Sequence, residues 1–411
     1  MKRRRAGLAP VLWLAVLLAA VSVGYEALDI GAAAPERDGS PANPADLEAI
    51  ARKVVVESAA VKEGEVVLIS GNPRDLELVE NIAVNVRKLG AHPIVTVNTD
   101  RMLRRMYDDV PAEFDAQEPK ADLALTQMTD VFIALDSNED PAVLSGVPPE
   151  RIAARGRAGA PVTELAMKKG VRTVSVGNGL YPTVANAKIL GLPVEALAEL
   201  FWSGVGADYD DLQARGKTLE QALKAGREVH LTNPNGTDLR FRIENRPVFV
   251  SDGVISAEDV ARGGSATTVW LPAGEVFTTP VPGTAEGKLV VDRDNYQGQE
   301  IRDVTLTFER GKVTSLSAAS GLEPFQAFYD ASGAGKEEFA YFDIGMNQAI
   351  RPPAGGRLDA FMPAGMVTVG IGNNLWAGGE NDVPLGTAYF MPGSTVEMDG
   401  KVLVQRGELK M

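Results

Sequence analysis

Apolar residues come in two textures along this chain. Up to about residue 226, short continuous apolar runs alternate with longer stretches of helical spacing. The runs are EVVLIS (65–70), HPIVTV (92–97), DVFIALD (130–136) and VRTVSVG (171–177), with helices predicted near 44–61, 74–89, 100–107, 149–169 and 208–225. Strands apolar on both faces and separated by helices predict a parallel sheet covered on both sides. From residue 228 onward the pattern shortens to period two and is broken by Gly, Asn and Pro, as in VHLTN (229–233), DLRFRIE (238–244), PVFVS (247–251), KLVVD (288–292), DVTLTFE (303–309) and KVTSLSA (312–318). That pattern predicts a β-rich half. The fold class is therefore α/β, with an N-terminal doubly wound, mostly parallel α/β domain (46–226) followed by a β-rich α+β domain (227–411).

Ahead of both domains stands a segment of another kind. Lys2, Arg3, Arg4 and Arg5 precede nineteen uncharged residues, AGLAPVLWLAVLLAAVSVG (6–24). A positive cluster before an apolar run is the pattern of a secretory signal, and nineteen residues also suffice for a membrane anchor. Small residues near Ala20 and Ser22 permit cleavage. Residues 25–45, rich in Ala, Pro, Gly and Asp, read as a flexible linker. The chain is expected to be exported, either periplasmic or extracellular, or anchored to the cytoplasmic membrane by residues 6–24, its sole membrane contact.

Composition narrows the chemistry. The 411 residues carry a net charge of −14, which argues against nucleic acid as a partner. The absence of cysteine excludes disulfides, thiolate metal sites and cysteine nucleophiles. No GxGxxG or Walker A run follows a predicted strand, and no GxSxG elbow exists. The Gly177-Asn178-Gly179 turn reads as strand-end punctuation. Only two histidines occur, His92 and His230, each in a predicted strand and both read as structural.

Several runs in order resemble one family. GEVVLIS (64–70) with the helix leading to KLGAHPIVTV (88–97), NPNGTDLRF (233–241) with its Asn235-Gly236 turn, LPAGEVFTTP (271–280), DVTLTFERGKV (303–313) and VEMDGKVLVQRGEL (396–409) are similar to landmarks of the thermophilic metallo-aminopeptidases, the aminopeptidase T/S type of peptidase family M29. The resemblance covers about residue 46 to the C-terminus. It implies a homodimer and a dinuclear metal site in which carboxylates and imidazoles on opposed strands activate a water for peptide hydrolysis.

Carried over position by position, the resemblance makes Glu275 a metal ligand. The second glutamate of the family precedes a G-x-N run, here Gly345-Met346-Asn347, and its place falls on Tyr341. The first histidine falls on Thr368 within GMVTVGIG (365–372), and the family's tyrosine near Leu375 or Trp376. The final His-x-Asp falls on Gly386 and Ala388. Nearby carboxylates are candidates for a rebuilt site: Asp343, on the Tyr341 face of an extended segment, and Glu380 and Asp382 in the predicted loop AGGENDVP (377–384). Glu337 and Glu338 read as a solvated helix face, and Glu275 itself as part of a Gly-Glu-Val turn.

Two states of the site follow. The chain either carries no cofactor, or as an active enzyme holds a divalent metal (Zn, Co, Mn or Mg), hard ions being favoured by an all-carboxylate set. The expected function is an exported homologue of metallo-aminopeptidases with lost or altered metal catalysis that binds a peptide or protein ligand. The alternatives are an active aminopeptidase with a rebuilt carboxylate-rich site, and a structural envelope protein.

Overall fold

The computed structural model describes residues 46–136, 139–351 and 358–410. The expected signal or anchor (1–24) and linker (25–45) lie outside them. Among the described residues no helix is long and apolar enough to cross a membrane.

The parallel strands form where the apolar runs stand, at Val66–Gly71, His92–Val97, Val131–Leu135 and Arg172–Val176. Helices join them. Leu76–Lys88 is typical, burying Leu78, Val79, Ile82 and Val86 on one stripe at helical spacing. The helix Tyr209–Ala225 opens on Asp208, whose carboxylate accepts from the Asp210 and Asp211 amides at 3.0 and 3.3 Å.

A fifth strand completes this sheet from beyond residue 226. Thr268–Leu271 pairs in parallel with Arg172–Val176 and occupies the sheet's edge. The segment 257–271, which period-two patterning leaves unassigned, thus returns the chain to the first domain before it enters the second.

The second half folds into two antiparallel sheets. The eight-stranded one centres on the hairpin Glu228–Asn233 with Thr237–Arg242, and the five-stranded one runs in the order Gly386–Phe390, Val367–Gly372, Phe339–Gly345, Glu275–Thr278, Val248–Ser251. They bury a common core in which Phe241 meets Phe339 and Phe342 edge to face, at 4.8 and 5.2 Å between ring centres.

Leu271 to Glu275 is therefore a crossing from one sheet to another. Gly274 sits at φ +131°, a conformation that excludes side chains, with its N–H donated to Ser251 and its carbonyl accepting from Met346 at 2.7 Å. Fully buried Asn347 donates from Nδ2 to the Ala273 carbonyl at 2.6 Å and accepts from the Ala349 amide at 2.9 Å. Asn347→Leu removes the donor to a buried carbonyl and is expected to cost about 1–3 kcal/mol. The check is a lowered urea midpoint at unchanged m-value.

Candidate functional site

Register in the five-stranded sheet decides which side chains meet. Directly opposite residues of antiparallel strands share a face. Glu275 stands opposite Gly345, Phe277 opposite Asp343, Asp343 opposite Thr368, Tyr341 opposite Gly370, Gly370 opposite Ala388 and Gly372 opposite Gly386. Glu275, Tyr341, Thr368, Gly386 and Ala388, scattered over more than a hundred residues of sequence, thus share one face. Asp343 lies among them. The opposite face, with Val276, Phe342, Ile344, Val367, Val369 and Ile371, points into the core shared with the large sheet.

Glu275 begins a strand, Glu275–Thr278, and does not lie in a turn. It is 4% exposed, at the point where the chain leaves the end of the parallel sheet. Asn178 holds it. The turn after Arg172–Val176 places Asn178 at φ +46°, a conformation Asn tolerates, and its Nδ2 donates both to Oε1 of Glu275 and to the Pro272 carbonyl. The Gly-Asn-Gly run therefore does more than end a strand. An Asn between two glycines at a strand end is the signal that could have marked it.

Burial sets the electrostatics. Removal from water pushes the Glu275 carboxyl from 4.5 up to about 8, against the opposing hydrogen bond from Asn178. Asp343, 1% exposed, is raised well above the carboxylate range by burial and then by the neighbouring Glu275. The Tyr341 phenol is also raised, by burial first and then by the charges of Asp343 and Glu275.

The remaining space on this face is aromatic. The Tyr341 ring lies across Gly370, where any side chain would collide with it. Trp376 packs on Tyr341 at 4.8 Å and on Phe277 at 5.2 Å, and Trp270 reaches both Phe277 (5.7 Å) and Trp376 (5.6 Å). Phe249 stacks on Phe277 from the adjacent strand. Trp270 and Trp376 remain partly exposed and form the rim. The family resemblance singles out Tyr341 and Trp376, but nothing in the sequence joins them to Phe249, Trp270 and Phe277, because the five rings come from five separate elements.

The other candidates stand apart. Glu380 is exposed, and Asp382 shares its loop beyond the strand Val367–Gly372. Neither joins Glu275 and Asp343 in a group of three that could hold a metal, among the described residues. Glu337 ends a turn and Glu338 forms an isolated bridge with Lys312, neither on a helix, and the Lys312 ammonium pairs with both carboxylates. His92 is exposed at the start of an edge strand, and His230 Nε2 meets Asp238 Oδ1 at 2.8 Å in the large sheet.

The family's dinuclear site does not fit this donor set. At the positions that the resemblance assigns to its other ligands, Tyr341, Thr368, Gly386 and Ala388 offer no imidazole or carboxylate. Two buried carboxyls are what remains.

The coupled carboxyls make stability depend on pH. An unfolded chain releases the Glu275 proton near 4.5, whereas the folded chain keeps it until about 8. The folded state therefore binds more protons between these values, and stability must fall as pH rises across that window. In EDTA, urea midpoints are expected to decline from pH 5 to pH 8, with a shallower decline in Glu275→Gln.

Comparison with known proteins places the chain. Residues 43–336 match the thermophilic metalloprotease (M29) family, a stretch that includes Glu275 and stops before the strand bearing Tyr341 and Asp343. The chain is 27% identical to aminopeptidase T of Thermus thermophilus over 212 residues, 47% of this chain and 50% of that protein. It is 24% identical to aminopeptidase AmpS of Bacillus subtilis over 300 residues, 67% of this chain and 71% of that protein. The aligned stretch thus spans half the length of aminopeptidase T. Among solved structures, wild-type AmpT from Thermus thermophilus superposes with a TM-score of 0.70 at 20% identity, covering 89% of this chain and 99% of that one. The 2,5-dihydroxypyridine dioxygenase of Pseudomonas putida KT2440 superposes with a TM-score of 0.57 at 16% identity, over 89% and 96%. By sequence match and by fold, this chain belongs to the thermophilic metalloprotease (M29) family.

Proposed function

We propose that this M29-family chain has left the metal-pair hydrolysis of N-terminal residues and acts by recognition, holding a peptide or a partner protein against the aromatic rim of Trp270 and Trp376. One observation carries the reading. Four of the five positions where a ligand is expected hold Tyr341, Thr368, Gly386 and Ala388, and the rings of Tyr341, Phe277 and Trp376 pack together on the same face. A partly exposed aromatic surface beside a closed polar floor suits apolar side chains of a ligand. The likeness to a dioxygenase supports separating fold from reaction, since one scaffold serves unlike chemistries. The N-terminal segment 1–24 supports action outside the cytoplasm, released or tethered through residues 25–45, and the family resemblance supports a homodimer.

The pairing of Glu275 with Asp343 favours a second reading, an aminopeptidase rebuilt on carboxylates. Release of N-terminal residues from a peptide panel, with Zn, Co, Mn or Mg added, separates the two. Recognition without hydrolysis predicts no metal-dependent release. It also predicts a peptide-induced change in tryptophan fluorescence that Trp376→Ala removes. Metal-dependent release lost in Glu275→Ala would establish the second reading instead.

A further inference from the structure

A strand at the edge of a sheet leaves backbone groups unpaired, and proteins usually guard it. Several edges here are guarded. The edge strand His92–Val97 carries Pro93, and Lys312–Ser317 opens on Lys312, whose ammonium meets Glu337 and Glu338. At Val248–Ser251 the Val248 carbonyl accepts from Arg262 at 2.7 Å, and Ser251 Oγ exchanges hydrogen bonds with the Trp270 backbone. Gly386–Phe390, the edge beside the candidate face, has none of these devices. Its sequence GTAYF contains no charge and no proline, and its pairing with Val367–Gly372 runs without a bulge.

The ladder shows which groups of this strand look outward. Asn373 donates to the Leu385 carbonyl at 2.7 Å, and Met391 to the Val367 carbonyl at 2.8 Å. Alternation from these two ends turns the backbone of Thr387 and Tyr389 toward the neighbouring strand, and the N–H and C=O of Gly386, Ala388 and Phe390 away from it. Those outward groups have no partner among the described residues. The same three residues place their side chains on the candidate face, where Ala388 packs against the aromatic cluster. Gly386 and Ala388 have too little side chain to shield the backbone.

We propose that this edge takes an extended, positively charged peptide as an added strand. This deepens the recognition reading, on which it rests, by fixing how the ligand is held and which charge it carries. Hydrogen bonds to Gly386, Ala388 and Phe390 hold the ligand's main chain, and every second ligand side chain falls on the face of Tyr341 and Trp376. Charge selects among peptides. Between Arg357 and Lys401 the sequence has no Lys, Arg or His and carries Asp359, Glu380, Asp382, Glu397 and Asp399. Glu380 and Asp382 stand in the loop that leads into the strand, and Glu380 is exposed, whereas Asp359 is engaged by Arg293. An acidic peptide meets like charge there, on a chain of net charge −14.

The test uses the full-length chain and a fluorescein-labelled heptapeptide of alternating lysine and valine, with binding followed by anisotropy and by tryptophan fluorescence. Two further peptides carry backbone N-methyl groups on the lysines alone or on the valines alone. Alternate amides of an added strand face the protein, so one methylated peptide should bind roughly tenfold or more weakly and the other as the parent does. A glutamate–valine peptide should bind less tightly than the lysine peptide. Ala388→Pro removes an outward N–H that the fold does not use, and should lose the same affinity at an unchanged melting temperature. Equal effects of the two methylated peptides, or tighter binding of the glutamate peptide, would overturn strand addition and leave recognition standing. A passed methylation test with binding untouched by Trp376→Ala would keep the edge and remove the rim. No binding of the lysine peptide would also overturn the proposal, and a dimer dissociated by Ala388→Pro would then assign the edge to a second copy of the chain.

Discussion

The site depends on how the chain crosses from one sheet to another between Leu271 and Glu275. Leu271 is held in the parallel sheet by Val176, and four residues later Glu275 is held in the antiparallel sheet by Ser251 and Gly345. Two rigid sheets thus fix both ends of a short segment. Asn178, after the strand Arg172–Val176, and Asn347, after the strand Phe339–Gly345, satisfy its carbonyls at Pro272 and Ala273. The carboxyl at the end of this crossing is buried, its backbone fixed by the two sheets and its Oε1 held by Asn178.

That constraint explains why the scaffold and the chemistry can part. A dinuclear centre draws strands together by ligation. Here Tyr341, Phe277, Trp376 and Trp270 do so by packing, each aromatic pair contributing about 0.5–1.5 kcal/mol beyond the area it buries. Thr368, Gly370, Gly386 and Ala388 leave room on the neighbouring strands for those rings. Glu275 and Asp343 are the carboxyls that share this face with the rings.

Much of this was legible in the sequence, for identifiable reasons. The four continuous β-branched runs became parallel strands because apolarity on both faces has few other outlets. The extended reading of 339–345 placed Asp343 beside Tyr341 through period-two geometry alone. Position-by-position correspondence found five places that the register then gathers on one face. Three features were not legible. The strand Thr268–Leu271 is a four-residue edge strand whose partner lies about ninety residues earlier. The hold of Asn178 on Glu275 joins residues 97 positions apart in sequence. The aromatic cluster assembles from the rings of Phe249, Trp270, Phe277, Tyr341 and Trp376 on five separate elements, and only tertiary packing brings them together.

The central claim is that an M29 scaffold here carries an aromatic, carboxyl-bearing face in place of a metal pair. Anomalous diffraction from crystals grown separately with zinc and with manganese tests it most directly. The account predicts ordered rings of Tyr341, Phe277 and Trp376 on the sheet face and no pair of anomalous peaks beside Glu275. Two peaks about 3.5–4 Å apart next to Glu275, with those rings displaced, would contradict it.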